Sequence, residues 1–227
     1  IKSPIFYAVQ KNINIQTGQP TILDFDMQRI SQRINIVFNI RTEGNIKRED
    51  LAAPIIELSG ACGRFNIADA CLDTTRLYRM AHQVQPDEFT QTGEGTYRCV
   101  VHFHTLGVIP SAAKGHLNGP GILQVALQVS TPQLDSSGAP VLDEEGNPVK
   151  NSRYIYGAIN PYDELTAAQP IEVRDGKIYL RYSKEDVNIE ITTPLVIKAD
   201  QIVPNDTGMG WQPHDPTNPD DDIIIEI

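Results

Sequence analysis

The stretch "INIVFNI", residues 34–40, alternates apolar side chains with mostly polar ones. A second stretch, "ILQVALQVS" at residues 122–130, repeats the pattern with glutamines between its apolar residues. Because successive side chains of a strand point to opposite faces, this period of two predicts half-buried strands in antiparallel sheets with one wet face. The side chains predicted to face the core are Ile34, Ile36, Phe38 and Ile40 in the first stretch and Leu123, Val125, Leu127 and Val129 in the second.

Many further segments have strand character and end at Gly, Pro, Asn or Asp residues. The stretch "VRDGKIYL", residues 173–180, predicts a hairpin, because Asp-Gly supplies the positive φ angles of a tight turn. Helical character is confined to "NPYDELTAA", residues 160–168, which has two acidic residues suited to a first turn. The sequence therefore predicts an all-β sandwich with Greek-key connections and at most one short helix.

The domain organisation follows from composition along the chain. No repeat at a fixed period and no break in composition divides residues 1–203, which we interpret as one β-sandwich domain. Residues 204–222 are polar and rich in Pro and Asp, which predicts a linker that contains the lone Trp211. Residues 223–227 predict a terminal β-strand that either closes its own sheet or pairs with another chain.

Composition excludes several classes of function. The chain has 227 residues, 40% of them hydrophobic, and a net charge of -10. This charge argues against binding to nucleic acid or to an anionic membrane surface. No apolar run approaches the roughly 18 residues of a membrane-spanning helix. Since the chain starts "IKSPIFYAV" without Met or a signal peptide, we expect a mature or trimmed chain, attached to a membrane only through a lipid anchor further upstream.

The three cysteines allow two interpretations. Cys62 and Cys71 lie at the two ends of "ACGRFNIADAC", so they are either a disulfide or two reduced thiols, and spacing alone does not decide between them. Cys99 alternates with apolar neighbours, which predicts a thiol in the core.

Motifs for catalysis, metal binding or cofactor binding are not found in the sequence. His102 and His104 share one strand face, but their alternation with apolar residues favours a solvated face over a metal site. The acidic stretches at 135–138 and 143–147 lack the ligand spacing of calcium loops and predict ordinary turns. We therefore expect a protein that is not an enzyme and has no metal or cofactor. Tyr154 and Tyr156 share a strand face, which fits either a small glycan platform or cross-strand packing.

Several stretches together resemble the fimbrillin superfamily of Bacteroidales, in particular its anchor-type and accessory-type fimbrial lipoproteins. They are "PIFYAVQKNINIQTGQPTILDFDMQRISQRINIVFNIRTEGNI" (4–46), "LAAPIIELSGACGRFNI" (51–67), "FHTLGVIP" (103–110), "GPGILQVALQV" (119–129) and "YIYGAINPYDEL" (154–165). The resemblance implies a transthyretin-like β-sandwich, export to the cell surface or outer membrane as a lipoprotein, and a part in type V pili. The preceding domain and lipidated cysteine of such proteins are not in this sequence, so residues 1–203 would correspond to the second domain of a longer precursor.

The resemblance also implies partners and modified residues. Subunits of such pili join by strand exchange, which would assign Ile223, Ile224, Ile225 and Ile227 to a strand offered to another pilus subunit or surface protein. The stretch "LDTT", residues 72–75, resembles the O-glycosylation motif of exported Bacteroidales proteins, with Thr74 as the acceptor.

These observations favour a non-catalytic surface protein of fimbrillin type, active in pilus anchoring, assembly or adhesion. The alternatives are a carbohydrate-binding surface lipoprotein of a glycan-uptake system and a structural module of a phage or virion. An aromatic groove on the wet face would favour sugar binding, and a long apolar cleft of strand width would favour strand exchange.

Overall fold

The computed structural model describes residues 4–44, 46–182, 186–198, 201–205 and 209–214. This part of the chain forms two large sheets, one short two-stranded pair and one α-helix. The predicted all-β sandwich with at most one short helix is confirmed for these residues.

The seven-stranded sheet contains, in spatial order, β10 (Ile171–Arg174), β11 (Lys177–Leu180), β5 (Cys71–Gln83), β4 (Ile55–Asn66), β8 (Leu123–Pro132), β9 (Lys150–Ile159) and β14 (Gln212–Pro213). The five-stranded sheet contains β13 (Gln201–Ile202), β12 (Val187–Lys198), β3 (Gln32–Glu43), β7 (Thr96–Thr105) and β6 (Phe89–Gly93). The remaining elements are the pair β1 (Phe6–Tyr7) and β2 (Gln28–Arg29), a 3-10 turn at Arg48–Asp50 and α1 (Tyr162–Ala168).

The connections cross repeatedly between the two sheets. From β3 the chain passes to β4 and β5 in the other sheet, returns for β6 and β7, and crosses again to β8. Strand β12 then comes back to pair with β3 in parallel, although the two strands lie far apart in the sequence. The fold is therefore not a meander, in line with the predicted crossing connections.

The core lies between the two sheets and contains the predicted inward face of each strand. All eight apolar residues predicted from the two opening stretches are buried. Alternate residues of β7 and β12 join them in one hydrophobic cluster. Burying a side chain of this size contributes about 1.5–3 kcal/mol to the free energy of folding. The inward-facing residues of the period-two pattern are therefore a major source of the stability of the two packed sheets.

Two smaller predictions are also confirmed. The helix α1 begins at Tyr162 with Asp163 and Glu164 in its first turn. Strands β10 and β11 form the predicted hairpin, and both turn residues, Asp175 and Gly176, have positive φ.

A bulge at Ser59 and Gly60 ties β4 to two parts of the loop that joins β7 to β8. The register of β4 against β5 shifts between Leu58 and Ala61. Ser59 Oγ accepts from the Ile122 amide at 3.0 Å, and the Ile109 amide donates to the Gly60 carbonyl at 2.9 Å. Gly60 has a φ of 82°, and a Cβ there would lie 2.6 Å from backbone atoms of Gly121 and Ile109. Both parts of this loop therefore approach β4 more closely than a side chain would permit.

The structure corrects the predicted linker for its described residues, 204–205 and 209–214. The rest of the predicted linker, 206–208 and 215–222, lies outside the described residues. Trp211 is fully buried, and its ring lies 5.2 Å from that of Phe38. Its indole Nε1 donates to the carbonyl of Thr193 at 3.0 Å, within the stretch where β12 shifts register against β3. Gln212–Pro213 then pairs with β9 as β14. This segment is polar in composition, but one tryptophan anchors it. The large ring buries much apolar area, and its N–H group donates to a carbonyl that the strand ladder leaves unpaired.

Replacing Trp211 tests this anchoring. We expect Trp211→Ala to lower the free energy of unfolding by about 3–5 kcal/mol, since it removes a buried aromatic ring and leaves the Thr193 carbonyl without its donor. Trp211→Phe should cost less. Urea unfolding measures both, and Met209→Ala, at an exposed residue of the same segment, is the control, with an expected change within about 0.5 kcal/mol. A small effect of Trp211→Ala would restore the linker interpretation.

Replacing Gly60 tests the close approach at the bulge. We expect Gly60→Ala to destabilise the protein by about 2–4 kcal/mol, because the methyl group meets backbone atoms that cannot move independently. Gly138→Ala is a matched control: its φ is 83°, and no atom lies within 4 Å of the added Cβ. The control carries only the cost of positive φ, about 1 kcal/mol. Equal losses in the two variants would contradict the steric account.

Candidate ligand-binding groove

A shallow groove lies on the outer face of the seven-stranded sheet and has a volume of about 360 Å³. We call it the tyrosine groove. It is lined by Ile55, Glu57, Arg79, Gln124, Val125, Ala126, Tyr154, Tyr156 and His214.

These residues come from four neighbouring strands, β5, β4, β8 and β9, and from His214, which follows β14. Ala126 of β8 lies opposite Ile55 of β4 on one side and Tyr156 of β9 on the other. In the adjacent row of the ladder, Gln124 lies opposite Glu57. Because neighbouring strands are about 4.8 Å apart, each row presents a continuous line of side chains across the sheet.

The two tyrosines stack on each other rather than across strands. Their ring centroids are 6.2 Å apart, with an angle of 26° between the ring planes. Tyr154 is 51% exposed and Tyr156 is half-buried. The pair therefore leaves part of its flat apolar surface open to a ligand, with Ile55 and Ala126 continuing the apolar floor.

Polar groups line the same groove. Arg79 Nη1 lies 3.3 Å from Glu57 Oε2, and both side chains are partly exposed. Gln124 Nε2 lies 2.9 Å from His214 Nε2, and the His214 amide donates to the Tyr156 carbonyl at 2.9 Å. The last contact, together with the pairing of β14 and β9, fixes this segment against β9 and places the imidazole in the groove.

This combination of groups is suited to binding a hydroxylated ligand. An aromatic face packs against the apolar faces of sugar rings, and amide, carboxylate and guanidinium groups exchange hydrogen bonds with hydroxyls.

Hydrolysis of a glycosidic bond ordinarily needs two carboxyl groups flanking the bond. The lining contains one carboxylate, Glu57, which is held by Arg79.

The disulfide candidate Cys62–Cys71 is wrong in this structure, where Cys62, Cys71 and Cys99 are unpaired, buried thiols. Cys62 lies opposite Leu77, whereas Cys71 lies opposite Asn66, four residues further along β4. Four strand residues span roughly 13 Å, and a disulfide needs Cα atoms within about 7 Å. Burial raises the pKa of both Cys62 and Cys99 to about 12, which keeps the two thiols protonated and unreactive at neutral pH.

The other residues singled out in the sequence lie away from the groove. Thr74 is half-buried within strand β5, and its neighbour Asp73 accepts from both the amide and the hydroxyl of Thr75. The proposed exchange residues Ile223, Ile224, Ile225 and Ile227 lie outside the described residues. Glycosylation of Thr74 and strand exchange by these isoleucines both stay predictions.

The histidines occupy the outer face of the five-stranded sheet, as predicted. His102 Nδ1 lies 2.8 Å from Asn35 Oδ1, and Asn35 in turn donates to Asn188. Since an amide oxygen only accepts, this contact places the His102 proton on Nδ1. Partial burial and the nearby Arg33 lower the pKa of both His102 and His104, which favours neutral imidazoles.

The two acidic stretches form ordinary turns, in agreement with the sequence. The Asp135 carboxylate accepts from the amides of Ser137 and Ala139, and Asp143 accepts from Glu145 and Asn147. Both turns belong to a local repeat with a period of eight residues, "LDSSGAP" followed by "LDEEGNP", so the prediction that residues 1–203 contain no repeat at a fixed period is wrong for this stretch. Each aspartate carboxylate therefore accepts hydrogen bonds from backbone groups of its own turn.

Sequence reasoning identified the two tyrosines of the groove but missed Glu57, Arg79, Gln124 and His214. The position of Gln124 on the outward face of a strand with clear alternation could have indicated that it lies on the same face as the groove. No local feature of the sequence indicates the other three residues, since strand order brings them close to the tyrosines.

Among the described residues, no group of three or more His, Cys, Asp or Glu side chains is placed to hold a metal ion. No helix in this part of the chain is long and apolar enough to cross a membrane. Comparison of the chain with family models found no matching family, and comparisons with curated proteins and with solved structures found no match either.

Proposed function

We propose that this protein is a non-catalytic binding module of a cell-surface protein and that the tyrosine groove binds a glycan. The stacked pair Tyr154 and Tyr156 carries this proposal, because it offers an exposed aromatic surface within a concave, partly polar site. Tyr154 in particular keeps about half of its surface exposed, so protein stability alone does not account for an aromatic side chain at this position.

The polar groups of the groove support a sugar rather than a purely apolar ligand. Glu57 and Arg79 provide an acceptor and a donor on one side, and Gln124 and His214 provide further polar groups near the tyrosines. The net charge of -10 disfavours nucleic acid, the other ligand class that commonly stacks on aromatic side chains. A surface protein that binds glycans through this groove could take part in adhesion or in glycan uptake.

Alanine substitution of the tyrosines tests the proposal. Native gels that contain soluble neutral polysaccharides, such as xyloglucan, a β-glucan, a mannan and starch, should show retarded migration of the wild-type protein in at least one case. Tyr154→Ala should weaken that binding about tenfold or more, since losing a stacking face costs on the order of 1.4 kcal/mol. The melting temperature should change little, because half of the ring is already exposed.

Tyr78→Ala provides the control, since Tyr78 is an exposed tyrosine that does not line the groove. Its binding should equal that of the wild type. Retained affinity in both Tyr154→Ala and Tyr156→Ala, or no retardation by any polysaccharide, would overturn the proposal.

A second candidate function is assembly, as expected for a subunit of fimbrillin type. The observation that favours it is an exposed apolar arm over residues 4–29, which contacts the rest of the chain mainly near its two ends and through Lys11 Nζ to Ala68 O at 2.7 Å. Contiguous exposed apolar side chains favour contact with another protein. Those on the arm are Ile5, Phe6, Val9, Ile13, Ile15, Ile22, Leu23, Phe25 and Met27.

Sedimentation velocity over a range of concentrations tests the assembly role of the arm. We expect wild-type protein to self-associate and the double variant Ile15→Ser/Ile22→Ser to do so at least fivefold more weakly, because these side chains are 75% and 84% exposed. Val173→Ser removes an equally exposed apolar side chain from β10 and is the control. A wild type that stays monomeric at all concentrations would count against assembly through copies of this chain.

A further inference from the structure

A second cavity, with a volume of about 400 Å³, lies where the β1–β2 pair meets the β10–β11 hairpin. It shares no residue with the tyrosine groove. Its volume falls in the range of small-molecule sites, roughly 300–1,000 Å³. We call it the arginine cavity, after Arg29, Arg174 and Arg181 in its lining.

Aromatic side chains form one wall of the arginine cavity and are held in fixed positions. The rings of Tyr7 and Phe65 meet edge to face at 5.1 Å, and those of Phe65 and Tyr182 at 6.4 Å. Tyr182 donates to the carbonyl of Leu106 at 2.6 Å, and Tyr7 donates to Gln28 Oε1 at 3.2 Å. With both hydroxyls engaged, these rings offer a preformed apolar wall to a planar or flat-faced ligand.

The charge of the lining is opposite to that of the whole protein. Three arginines and one carboxylate, Glu172, line the cavity, whereas the chain has a net charge of -10. Arg174 Nε lies 2.7 Å from Glu172 Oε1, and its guanidinium lies 4.4 Å from the centre of the Tyr179 ring. These two contacts orient the guanidinium, yet Arg174 remains 59% exposed. A guanidinium has five N–H donors, so one contact through Nε does not exhaust its capacity to bind an anion.

Arg29 and Arg181 differ in how they are placed. Arg29 is mostly buried, donates from Nε to the Ser31 carbonyl and lies 3.9 Å from Asp186, so its charge is partly balanced inside the protein. Arg181 is exposed and follows β11, and its amide donates to the Pro170 carbonyl. Arg174 and Arg181 are therefore the two arginines with heads accessible to a ligand at the mouth of the cavity.

We propose that the arginine cavity binds a small carboxylate attached to a six-membered ring. The ring packs against Tyr7, Phe65 and Tyr182, and the carboxylate pairs with Arg174 or Arg181. A guanidinium matches a carboxylate through two parallel hydrogen bonds, which explains why arginines rather than lysines suit this site. A sugar acid and an aryl carboxylate share this chemistry.

Titrations followed by amide chemical shifts of the full chain test the proposal. Sodium glucuronate and sodium benzoate represent the two sources of the carboxylate, and glucose and benzyl alcohol are their neutral counterparts. At low ionic strength we expect one of the anions to shift amides of β10, β11 and residues around Phe65 in a saturable manner. Its neutral counterpart should bind at least tenfold more weakly. The anion that binds more tightly identifies the source.

Variants separate the cavity from non-specific attraction of anions. At least one of the two variants Arg174→Gln and Arg181→Gln should weaken binding of the anion at least fivefold, and Phe65→Leu should weaken it at least threefold. Arg98→Gln, on the other sheet, should change the affinity less than twofold, and Tyr154→Ala should leave it unaltered. The proposal is overturned if neither anion binds, if the neutral counterparts bind equally well, or if Arg98→Gln weakens binding as much as the cavity variants. Since both cavity arginines are exposed, their replacement should leave the fold intact.

Discussion

The close backbone approach at Gly60 is the constraint on which the rest of the sandwich depends. Strand β4 lies between β5 and β8, so it carries ladder hydrogen bonds on both sides. At the bulge the Ser59 hydroxyl and the Gly60 carbonyl replace ladder partners with bonds to the loop at 107–122. This loop leads the chain from one sheet to the other, so the bulge sets where β8 enters the seven-stranded sheet. The positions of Ile55 and Glu57 relative to Gln124 and Ala126, and with them the tyrosine groove, follow from that entry point.

The bulge in β12 has a comparable role at the other end of the molecule. Its shifted register leaves the Thr193 carbonyl to accept from the Trp211 indole, and Trp211 in turn holds the segment that carries β14 and His214. One irregularity of the five-stranded sheet is therefore coupled to the polar rim of a groove on the opposite sheet. A regular strand pair would not provide this coupling, since in a complete ladder the backbone carbonyls are already bonded and none accepts from a distant side chain.

The two candidate sites differ in electrostatic character. The tyrosine groove pairs one cation with one anion, Arg79 with Glu57, and is nearly balanced. The arginine cavity concentrates positive charge in an acidic protein, with three arginines and one carboxylate in its lining. A surface protein with both candidate sites would present a nearly neutral aromatic groove and a positively charged cavity at different places on the seven-stranded sheet. The resemblance to fimbrial proteins provides an adhesive context for both sites, as a proposal.

Local pattern by itself determined the alternating strands such as β3 and β8, the Asp-Gly hairpin and the helix α1, because side-chain alternation, turn chemistry and helix periodicity are properties of neighbouring residues. It also placed Tyr154 and Tyr156 on one face. Only the tertiary structure decided that Trp211 is core rather than linker, since composition does not record a single buried ring among polar neighbours. It likewise decided that Cys62 and Cys71 lie in positions too distant for a disulfide, because bulges set the register. The groove required strand order as well: Glu57, Arg79 and His214 reach the tyrosines through pairings between residues up to 71 positions apart, as for Ile55 and Ala126. Such long-range pairing depends on the packing of the whole chain rather than on any one segment.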